Sequence, residues 1–263
     1  MNPLILVTND DGIFSPGLQA AAEATKNLGD LLIAAPRFQQ TSMSRAVPKG
    51  DDIGKIESVD LQLSDGVHPA FAVNGSPAQA VSHAILELTS RNPDLCISGI
   101  NYGENLGTAL FPSGTIGAAL EANTYNIPGL AISLEASIAM QHSADYSPMD
   151  WETAIYFTTY FAKKILEEGL PHEIALLNIS VPSSATKETE IRITCQSRQN
   201  YFAFKKPEKR DISKGYQLKI EIKIDKQTLE PNSDIQAFVF DRVVSVTPIT
   251  WDLTAKSEWK MHS

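Results

Sequence analysis

Two adjacent carboxylates offer the clearest chemistry in the sequence. Asp10 and Asp11 follow the short apolar run at residues 4–7, which is typical of a buried strand. Neighbouring carboxylates cannot both stay ionised at low cost unless a positive charge lies beside them. A hard divalent cation with oxygen ligands supplies that charge. Asp and Gly are also favoured in a turn before a helix, so this stretch alone is compatible with metal binding and with a plain turn.

A glycine-rich stretch at residues 98–107 follows a later apolar run. Its glycines allow the backbone to approach a ligand closely, and Asn101 offers a neutral carbonyl oxygen to the same cation. An ordinary glycine-rich turn would have the same composition. A third loop, at residues 35–44, contributes the hydroxyls of Thr41 and Ser42. Either hydroxyl could complete a shell of oxygen ligands.

A hydroxyl-rich turn at residues 112–115 leads into a helical pattern. The free backbone N–H groups and the dipole at a helix start form an anion site that suits a phosphate. Ser113 or Thr115 could equally cap the helix, and capping is compatible with phosphate binding. We therefore predict a phosphate cradle at this helix start.

The elements that must position these residues alternate between short apolar runs and helical patterns. The predicted strands are residues 4–7, 31–35, 94–98, 130–134 and 174–181, with a hairpin at 56–63 and 70–73, and the predicted helices are residues 16–28, 77–89, 115–123 and 149–168. This alternation predicts an α/β fold with a doubly wound, Rossmann-like, mostly parallel sheet. Ligands bind at the carboxyl ends of the strands in such sheets. The aspartates, Asn101 and one loop hydroxyl are therefore predicted to converge at that edge, beside the phosphate cradle.

The character of the sequence changes after about residue 182. The strands predicted there are residues 191–195, 216–224 and 236–246, with no helix between them. We therefore predict a catalytic domain at residues 1–182 and a β-rich C-terminal arm at residues 183–263. The arm is too extended to fold back alone, which predicts a dimer or a larger assembly with residues 200–230 at the interface.

The composition restricts the partners and the compartment. The formal net charge of −9 argues against a nucleic acid polymer as partner, because such binding needs a basic surface, but it is compatible with a small phosphorylated substrate. Cys96 and Cys195 are the only cysteines, and their separation matches no metal or disulfide pattern. The N-terminal apolar run breaks at Asn9, too early for a signal peptide or a membrane span. We expect a cytoplasmic protein without a membrane partner.

An ordered series of motifs runs from residue 4 to about residue 135. It consists of Thr8-Asn9-Asp10-Asp11-Gly12, Pro16-Gly17, Ala35-Pro36 with the following Gln-Gln-Thr, Asn74-Gly75-Ser76-Pro77-Ala78, Ser98-Gly99-Ile100-Asn101 with Gly103, Asn105 and Gly107, and Ser113-Gly114-Thr115. Further motifs follow at residues 245–248 and 252–254. In this order the motifs resemble those of the SurE survival-protein family, the stationary-phase 5'/3'-nucleotidases.

The resemblance implies a metal-dependent phosphomonoesterase that acts on nucleoside monophosphates. It assigns the metal to both aspartates, to a hydroxyl in the loop after the second strand and to Asn101. A gapless alignment selects Thr41, where the family usually has Ser, and leaves Ser42 one position out of register. The family's C-terminal β arm takes part in assembly, which implies a homodimer or a homotetramer.

Two departures from the family pattern lie in the C-terminal part. The family commonly has His at the position of Lys256. Any catalytic role of that His therefore has no matching residue in this sequence. Arg242 stands where Gly is usual. These departures leave one alternative in place, a non-catalytic nucleotide- or metal-binding protein that has lost turnover.

The expected reaction is direct, metal-assisted hydrolysis of the phosphate ester by water. Asp10 or Asp11 would accept the proton of that water, while Asn105 and the Ser113-Gly114-Thr115 helix start would hold the phosphate. Because none of the five histidines lies in these motifs, Mg²⁺ or Mn²⁺ is favoured over Zn²⁺. A dinucleotide oxidoreductase would need Gly-x-Gly-x-x-Gly after the first strand, and a phosphatase with an aspartyl intermediate usually has Asp-x-Asp there. The sequence contains neither at that position.

Overall fold

The computed structural model describes residues 2–141 and 146–255. The strands in these residues are β1 (Leu4–Thr8), β2 (Asp30–Pro36), β3 (Ile56–Leu63), β4 (Gly66–Val73), β5 (Leu95–Tyr102), β6 (Gly129–Leu134), β7 (Leu176–Val181), β8 (Ile191–Ile193), β9 (Phe202–Phe204), β10 (Ile220–Ile222) and β11 (Val244–Ile249). One nine-stranded sheet has the order β3-β4-β2-β1-β5-β6-β7-β11-β8, and β9 pairs separately with β10. Most neighbours in the large sheet are parallel, and the antiparallel pairs are β3–β4 and β7–β11.

Helices cover both faces of the large sheet. They are α1 (Pro16–Thr25), α2 (Pro77–Glu87), α3 (Gly114–Asn123), α4 (Ile138–Gln141) and α5 (Glu152–Glu168). Successive residues of a strand point to opposite faces, so Ile5 and Val7 pack with α1 and α5, while Leu6 packs with α2 and α3. Within the described residues, no helix combines the length and the apolar character needed to cross a membrane.

The central strand β1 lies between β2 and β5 and is parallel to both. The chain builds outward from β1 through β2 to β4 and then returns to β5 on the other side. This reversal is the switch point of a doubly wound sheet, and it opens a crevice beyond the carboxyl ends of β1 and β5. Residues that follow β1 and residues at the end of β5 therefore face the same crevice.

The helices around this crevice begin at local sequence signals. The Ser15 hydroxyl accepts a hydrogen bond from the N–H of Gly17 and caps α1, and Pro16 occupies the first helical position. Ser76 and Gln79 form a reciprocal capping box at the start of α2. These caps fix where each helix starts relative to the strand before it.

The predicted α/β class is confirmed, and so is the hairpin, which is the antiparallel pair β3–β4. β5 is longer than predicted and ends at Tyr102. Its pairing with β6 shifts register between Ser98 and Asn101. A bulge of this kind redirects the side chains that follow it, which brings Asn101 to the crevice.

The prediction of one strand over residues 236–246 is wrong for its first half. Gln236–Phe240 forms a single π-helical turn, and β11 begins only at Val244. A short apolar run fits a helix and a strand equally well. Here tertiary packing decides, because Ile235 and Phe238 are buried together with Leu106.

The segment after residue 182 also differs in detail from the prediction. Only Ile220–Ile222 of the predicted strand 216–224 pairs, and its partner is Phe202–Phe204, which was not predicted to be a strand. β8 and β11 join the large sheet beside β7. The segment therefore contributes two strands to the central sheet, and the β9–β10 hairpin lies outside it.

Candidate active site

Asp10 and Asp11 leave β1 at the switch point, and both are buried, with relative exposures of 4% and 2%. Asp10 accepts a hydrogen bond from Thr115 Oγ1 at 2.7 Å. Asp11 accepts hydrogen bonds from Gln39 Nε2 and from the backbone N–H of Tyr102, both at 3.2 Å. None of these three donors carries a positive charge.

Burial dominates the electrostatics of the pair. Desolvation raises the pKa of the Asp10 carboxyl above its ordinary value, and the hydrogen bond from Thr115 offsets part of that rise. Desolvation also raises the pKa of Asp11, and the adjacent charge of Asp10 raises it further. Two buried neighbouring carboxylates with neutral partners can both be ionised at low cost only beside a cation. The pair therefore has the electrostatic character of a cation site.

Asn101 presents its amide oxygen to the same crevice. Its Nδ2 donates to the backbone carbonyl of Gly103 at 2.6 Å and to that of Tyr102 at 3.4 Å. Because the nitrogen is engaged with the backbone, the side-chain oxygen is the atom left for a ligand. Asn101 lines the same cavity as Asp10, so a carboxylate and an amide oxygen share one chamber.

The two loop hydroxyls differ in their surroundings. Thr41 Oγ1 is buried and has no hydrogen-bond partner among the described residues, whereas Ser42 is exposed and has a φ of +64°. A buried hydroxyl without a partner costs free energy. Both residues line the cavity that contains Asp10, but only the Thr41 oxygen lacks an alternative partner such as bulk water.

The loop after β2 is held in place by the backbone on two sides. The N–H of Gln40 donates to the carbonyl of Asp10 at 2.7 Å, and the N–H of Ser44 donates to that of Pro112 at 3.1 Å. A Cβ at Gly117 would lie 2.3 Å from the carbonyl carbon of Ser44. Helix α3 can therefore approach the loop this closely only because residue 117 has no side chain.

Residues at the start of α3 cap the helix and also contact Asp10. Ser113 is the N-cap, and its Oγ accepts from the N–H of Ile116 at 3.2 Å. Thr115 is fully buried, and its hydroxyl donates to Asp10. A Cβ at Gly114 would lie 2.6 Å from Asp10 Oδ2. Of the three residues predicted to form the phosphate cradle, only Ser113 has a place on the cavity wall.

Asn105 is buried on the cavity wall, as the phosphate prediction requires. Its Nδ2 donates to Ser133 Oγ at 3.0 Å. Its backbone carbonyl accepts from Nδ2 of Asn178 at 2.9 Å. These two bonds fix the side chain and the backbone of Asn105 and leave one N–H of its amide group for a ligand.

The cavity has a volume of about 350 Å³ and joins these residues in one chamber. Its polar end is lined by Asp10, Thr41, Asn101, Asn105 and Ser113. Sites for small molecules in proteins start at about 300 Å³. Four predicted ligand-binding side chains and the cap of α3 thus meet around a space that is large enough for a small molecule, whereas Asp11 does not line this space.

Glu104 was not predicted to take part in the site. Its Oε1 accepts a hydrogen bond from the Tyr201 hydroxyl at 2.6 Å, and its Oε2 is buried without a hydrogen-bond partner in the part of the chain that the structure describes. Burial raises the pKa of the Glu104 carboxyl. Its position beside Asn105 was the available signal, but its partner lies 97 positions away, beyond the reach of motif spacing.

The fold and the crevice define a class of protein. It is a Rossmann-like α/β protein whose oxygen-rich site lies beyond the carboxyl ends of the strands, at the switch point of the sheet. The model of the family described as "Survival protein SurE" matches residues 5–203. The chain belongs to the SurE family, as its motifs indicated.

Individual relatives match along nearly the whole chain. "5'-nucleotidase SurE" of Thermococcus kodakarensis is 38% identical over 252 residues, which cover 96% of this chain and 94% of the relative. "5'-nucleotidase SurE" of Methanosarcina acetivorans is 36% identical over 263 residues, which cover 98% and 96%. The crystal structure of the SurE protein from Aquifex aeolicus superposes with a TM-score of 0.74 at 29% identity, covering 96% of this chain and 95% of that one.

Proposed function

We propose that this chain is a 5'-nucleotidase that hydrolyses nucleoside monophosphates. The observation that carries the proposal is the family match over residues 5–203, which includes the buried Asp10–Asp11 pair at the switch point. The relatives named 5'-nucleotidase SurE align along almost the entire chain. A cavity with buried oxygen ligands at one end suits a phosphate ester bound through a cation.

We assign one divalent cation to Asp10, Asp11, Thr41 and Asn101. The unpartnered buried hydroxyl of Thr41, the free amide oxygen of Asn101 and the two uncompensated carboxylates support this assignment. All four offer oxygen, which favours Mg²⁺ or Mn²⁺ over Zn²⁺. When bound, such a cation supplies Lewis-acid stabilisation of charge on the phosphoryl group and lowers the pKa of water.

The protein's own residues have the remaining catalytic roles. Asp10 lines the cavity and Asp11 does not, and for this reason we assign to Asp10 the task of accepting the proton of the attacking water. Thr115 holds one Asp10 oxygen by its hydrogen bond and thereby fixes the orientation of the carboxylate. The predicted direct contact of the Thr115 side chain with phosphate is replaced in this proposal by that orienting role.

The phosphate is held by neutral donors. We assign Asn105 and Ser113 to this task because both line the cavity, and we include the backbone N–H of Gly114 because it follows Ser113 at the start of α3. A helix N-terminus stabilises an anion through its free N–H groups and its dipole. Fixed donors of this kind stabilise the charge that develops as the ester bond breaks.

Phosphate release from nucleoside monophosphates tests the function. We expect AMP and related monophosphates to release inorganic phosphate, the activity to vanish after exhaustive chelation, and Mn²⁺ or Mg²⁺ to restore it. The measurement is phosphate released across a panel of monophosphates with Mg²⁺, Mn²⁺ and Zn²⁺. Full activity after chelation would contradict the metal assignment. Nucleotide binding without any phosphate release would favour the non-catalytic alternative. That alternative was based on Lys256, which lies outside the described residues.

The register of the loop hydroxyl is tested by removing one oxygen at a time. Thr41→Val keeps the shape of the side chain and removes its oxygen, so we expect the metal concentration for half activity to rise ~10-fold or more. Thr41→Ser should stay close to the parent. Ser42→Ala is the matched control, because Ser42 is exposed and can exchange its partner for water. A crippled Ser42→Ala enzyme beside a normal Thr41→Val enzyme would show that the ligand lies one position later.

We also propose that the protein is a cytoplasmic homodimer or homotetramer assembled through residues 200–230. Apolar side chains in this segment are exposed, at 88% for Ile212 and 42% for Leu218. Exposed apolar groups that cluster in one segment favour contact with a partner chain. Light scattering at micromolar concentration should give at least twice the chain mass of 28.7 kDa. A monomer would contradict the assignment.

A further inference from the structure

The cavity has two chemically different ends. The end at β1 and α3 is polar, with Asp10 and Asn101 on its wall. The other end is formed by the side chains of Phe202, Phe204 and Ile220. These apolar residues play no part in holding a cation or a phosphate. The cavity wall therefore offers a second surface of different chemistry.

Phe202, Phe204 and Ile220 lie on one face of the β9–β10 hairpin. Phe204 lies directly opposite Ile220 in the antiparallel register, and Phe202 lies opposite Ile222. Residues paired in this way, and residues two apart on one strand, share a face of the sheet. The two phenylalanines and Ile220 thus form a continuous apolar wall along the cavity.

The two phenylalanine rings are not equivalent. Phe202 packs edge-on against Tyr201, with ring centroids 4.7 Å apart, and belongs to the cluster around Phe238. Phe204 is 69% exposed, and within residues 2–141 and 146–255 no other aromatic ring or cation packs against it. Its ring faces are therefore free for a planar ligand.

A polar group stands beside this wall. Thr108 Oγ1 donates to Asn200 Oδ1 at 3.2 Å, which orients the amide of Asn200. Both residues line the cavity. In the described part of the chain, the amide nitrogen of Asn200 donates no hydrogen bond. An oriented donor next to a free ring face is the arrangement that binds a heteroaromatic ring with acceptor atoms at its edge.

We propose that the β9–β10 wall is the base subsite of the enzyme, with Phe204 stacking on the nucleobase and Asn200 donating a hydrogen bond to an acceptor at its edge. The proposal rests on the proposed nucleotidase function. The occupant follows from continuity, since the proposed phosphate site lies in the same cavity as Phe204 and Asn200. Stacking tolerates every base because each has a planar π face. The subsite thus selects nucleotides over phosphate esters that lack a base.

The test compares AMP with ribose 5-phosphate, which keeps the sugar and phosphate and lacks the base. Phe204→Ala should raise the KM for AMP ~10-fold or more, the scale of base–aromatic stacking, and should leave the KM for ribose 5-phosphate within ~2-fold. Phe204→Trp should retain the parent value for AMP. Asn200→Ala should raise the KM for AMP by a smaller factor, because one hydrogen bond contributes less than the stacked ring.

Ile193→Ala is the matched control, because Ile193 lies on β8 of the same C-terminal segment and is 67% exposed, close to the value for Phe204. It does not line the cavity, so both KM values should stay at the parent level. Both substrates are measured on the same preparation, which removes effects of assembly because assembly acts on both. Equal changes for AMP and ribose 5-phosphate in Phe204→Ala, or no change for AMP, would overturn the base subsite. A parent enzyme that hydrolyses ribose 5-phosphate but no nucleotide would instead overturn the proposed function.

Discussion

Replacing either aspartate of the Asp10–Asp11 pair by Asn is expected to lower kcat by at least ~10²-fold, the scale observed when a key electrostatic group is lost. Asn keeps the shape and removes the negative charge that would hold the cation. The two substitutions should affect different kinetic quantities. Asp10 lines the cavity and Asp11 does not, so Asp10→Asn should act mainly on kcat. Asp11→Asn should act more on the metal concentration needed for half activity.

A stability measurement separates this role from that of a structural turn. Burial raises the pKa of both carboxyls, so the folded chain keeps their protons to higher pH than the unfolded chain does. The stability this provides is present at low pH and is lost as pH rises through the raised pKa values. Without metal, the parent should therefore lose stability between about pH 5 and about pH 8. The Asp11→Asn variant should lose less stability over this pH range, because the Asn side chain at position 11 cannot ionise.

Urea unfolding of the metal-free proteins at both pH values makes this comparison, and added Mn²⁺ should stabilise the parent more than either variant. Near-normal turnover in both single variants, with unchanged pH dependence, would leave a turn before α1 as the better account of the two aspartates. Asp150→Asn is a suitable control. Asp150 lies outside the cavity, so turnover and metal dependence should be unchanged.

The sequence predicted the frame of the site because the frame depends on local patterns. The apolar run at residues 4–7 and the polar residues after it specify a strand that ends at Thr8, two residues before Asp10, wherever the strand lies in the sheet. The doubly wound order then places the ends of β1 and β5 side by side. The topology thus brings the end of β5 beside Asp10, and the register shift between Ser98 and Asn101, which the pattern did not predict, brings Asn101 to the cavity wall.

Features that depend on contacts between distant parts of the chain could not be predicted in this way. Thr115 reads equally well as a phosphate ligand or a helix residue, and only the approach of α3 to β1 shows that its hydroxyl contacts Asp10. The bond between Glu104 and Tyr201 links two segments with no common pattern. The apolar residues of the turn at Gln236–Phe240 fit a helix and a strand equally well.

The β9–β10 hairpin, which forms the apolar wall, also could not be predicted from local sequence patterns. Phe202–Phe204 is only three residues long and follows no extended alternation, so periodicity does not distinguish it from a loop. Its partner Ile220–Ile222 lies within a run of nine alternating residues, of which only three pair. Alternation indicates which residues could share a face, but the partner strand decides how much of the run becomes a strand.

Adding one methyl group at Gly114 is expected to cost at least ~10²-fold in turnover, the penalty for moving a reacting group by about 1 Å. A Cβ at this position would lie 2.6 Å from both Cβ and Oδ2 of Asp10, closer than carbon and oxygen atoms can approach. Either the start of α3 or the Asp10 carboxylate must move. Each movement breaks the 2.7 Å hydrogen bond from Thr115 and shifts the oxygen that faces the cavity.

Helix propensity alone makes the opposite prediction for Gly114→Ala. Gly114 is the first residue of α3 after its Ser113 cap, and Ala is favoured over Gly in a helix by about 1 kcal/mol. We expect the steric conflict to prevail and to lower the free energy of unfolding by ~1–3 kcal/mol, the usual cost of overpacking a buried site. Gly50→Ala is the control, since a Cβ there would meet Ile53 Cγ1 at 3.5 Å, an ordinary van der Waals contact, and Gly50 lies outside the proposed interface. Turnover, metal affinity and urea unfolding of the two variants decide between these accounts. A Gly114→Ala protein with parental turnover and raised stability would show that Asp10 does not depend on the start of α3 for its position.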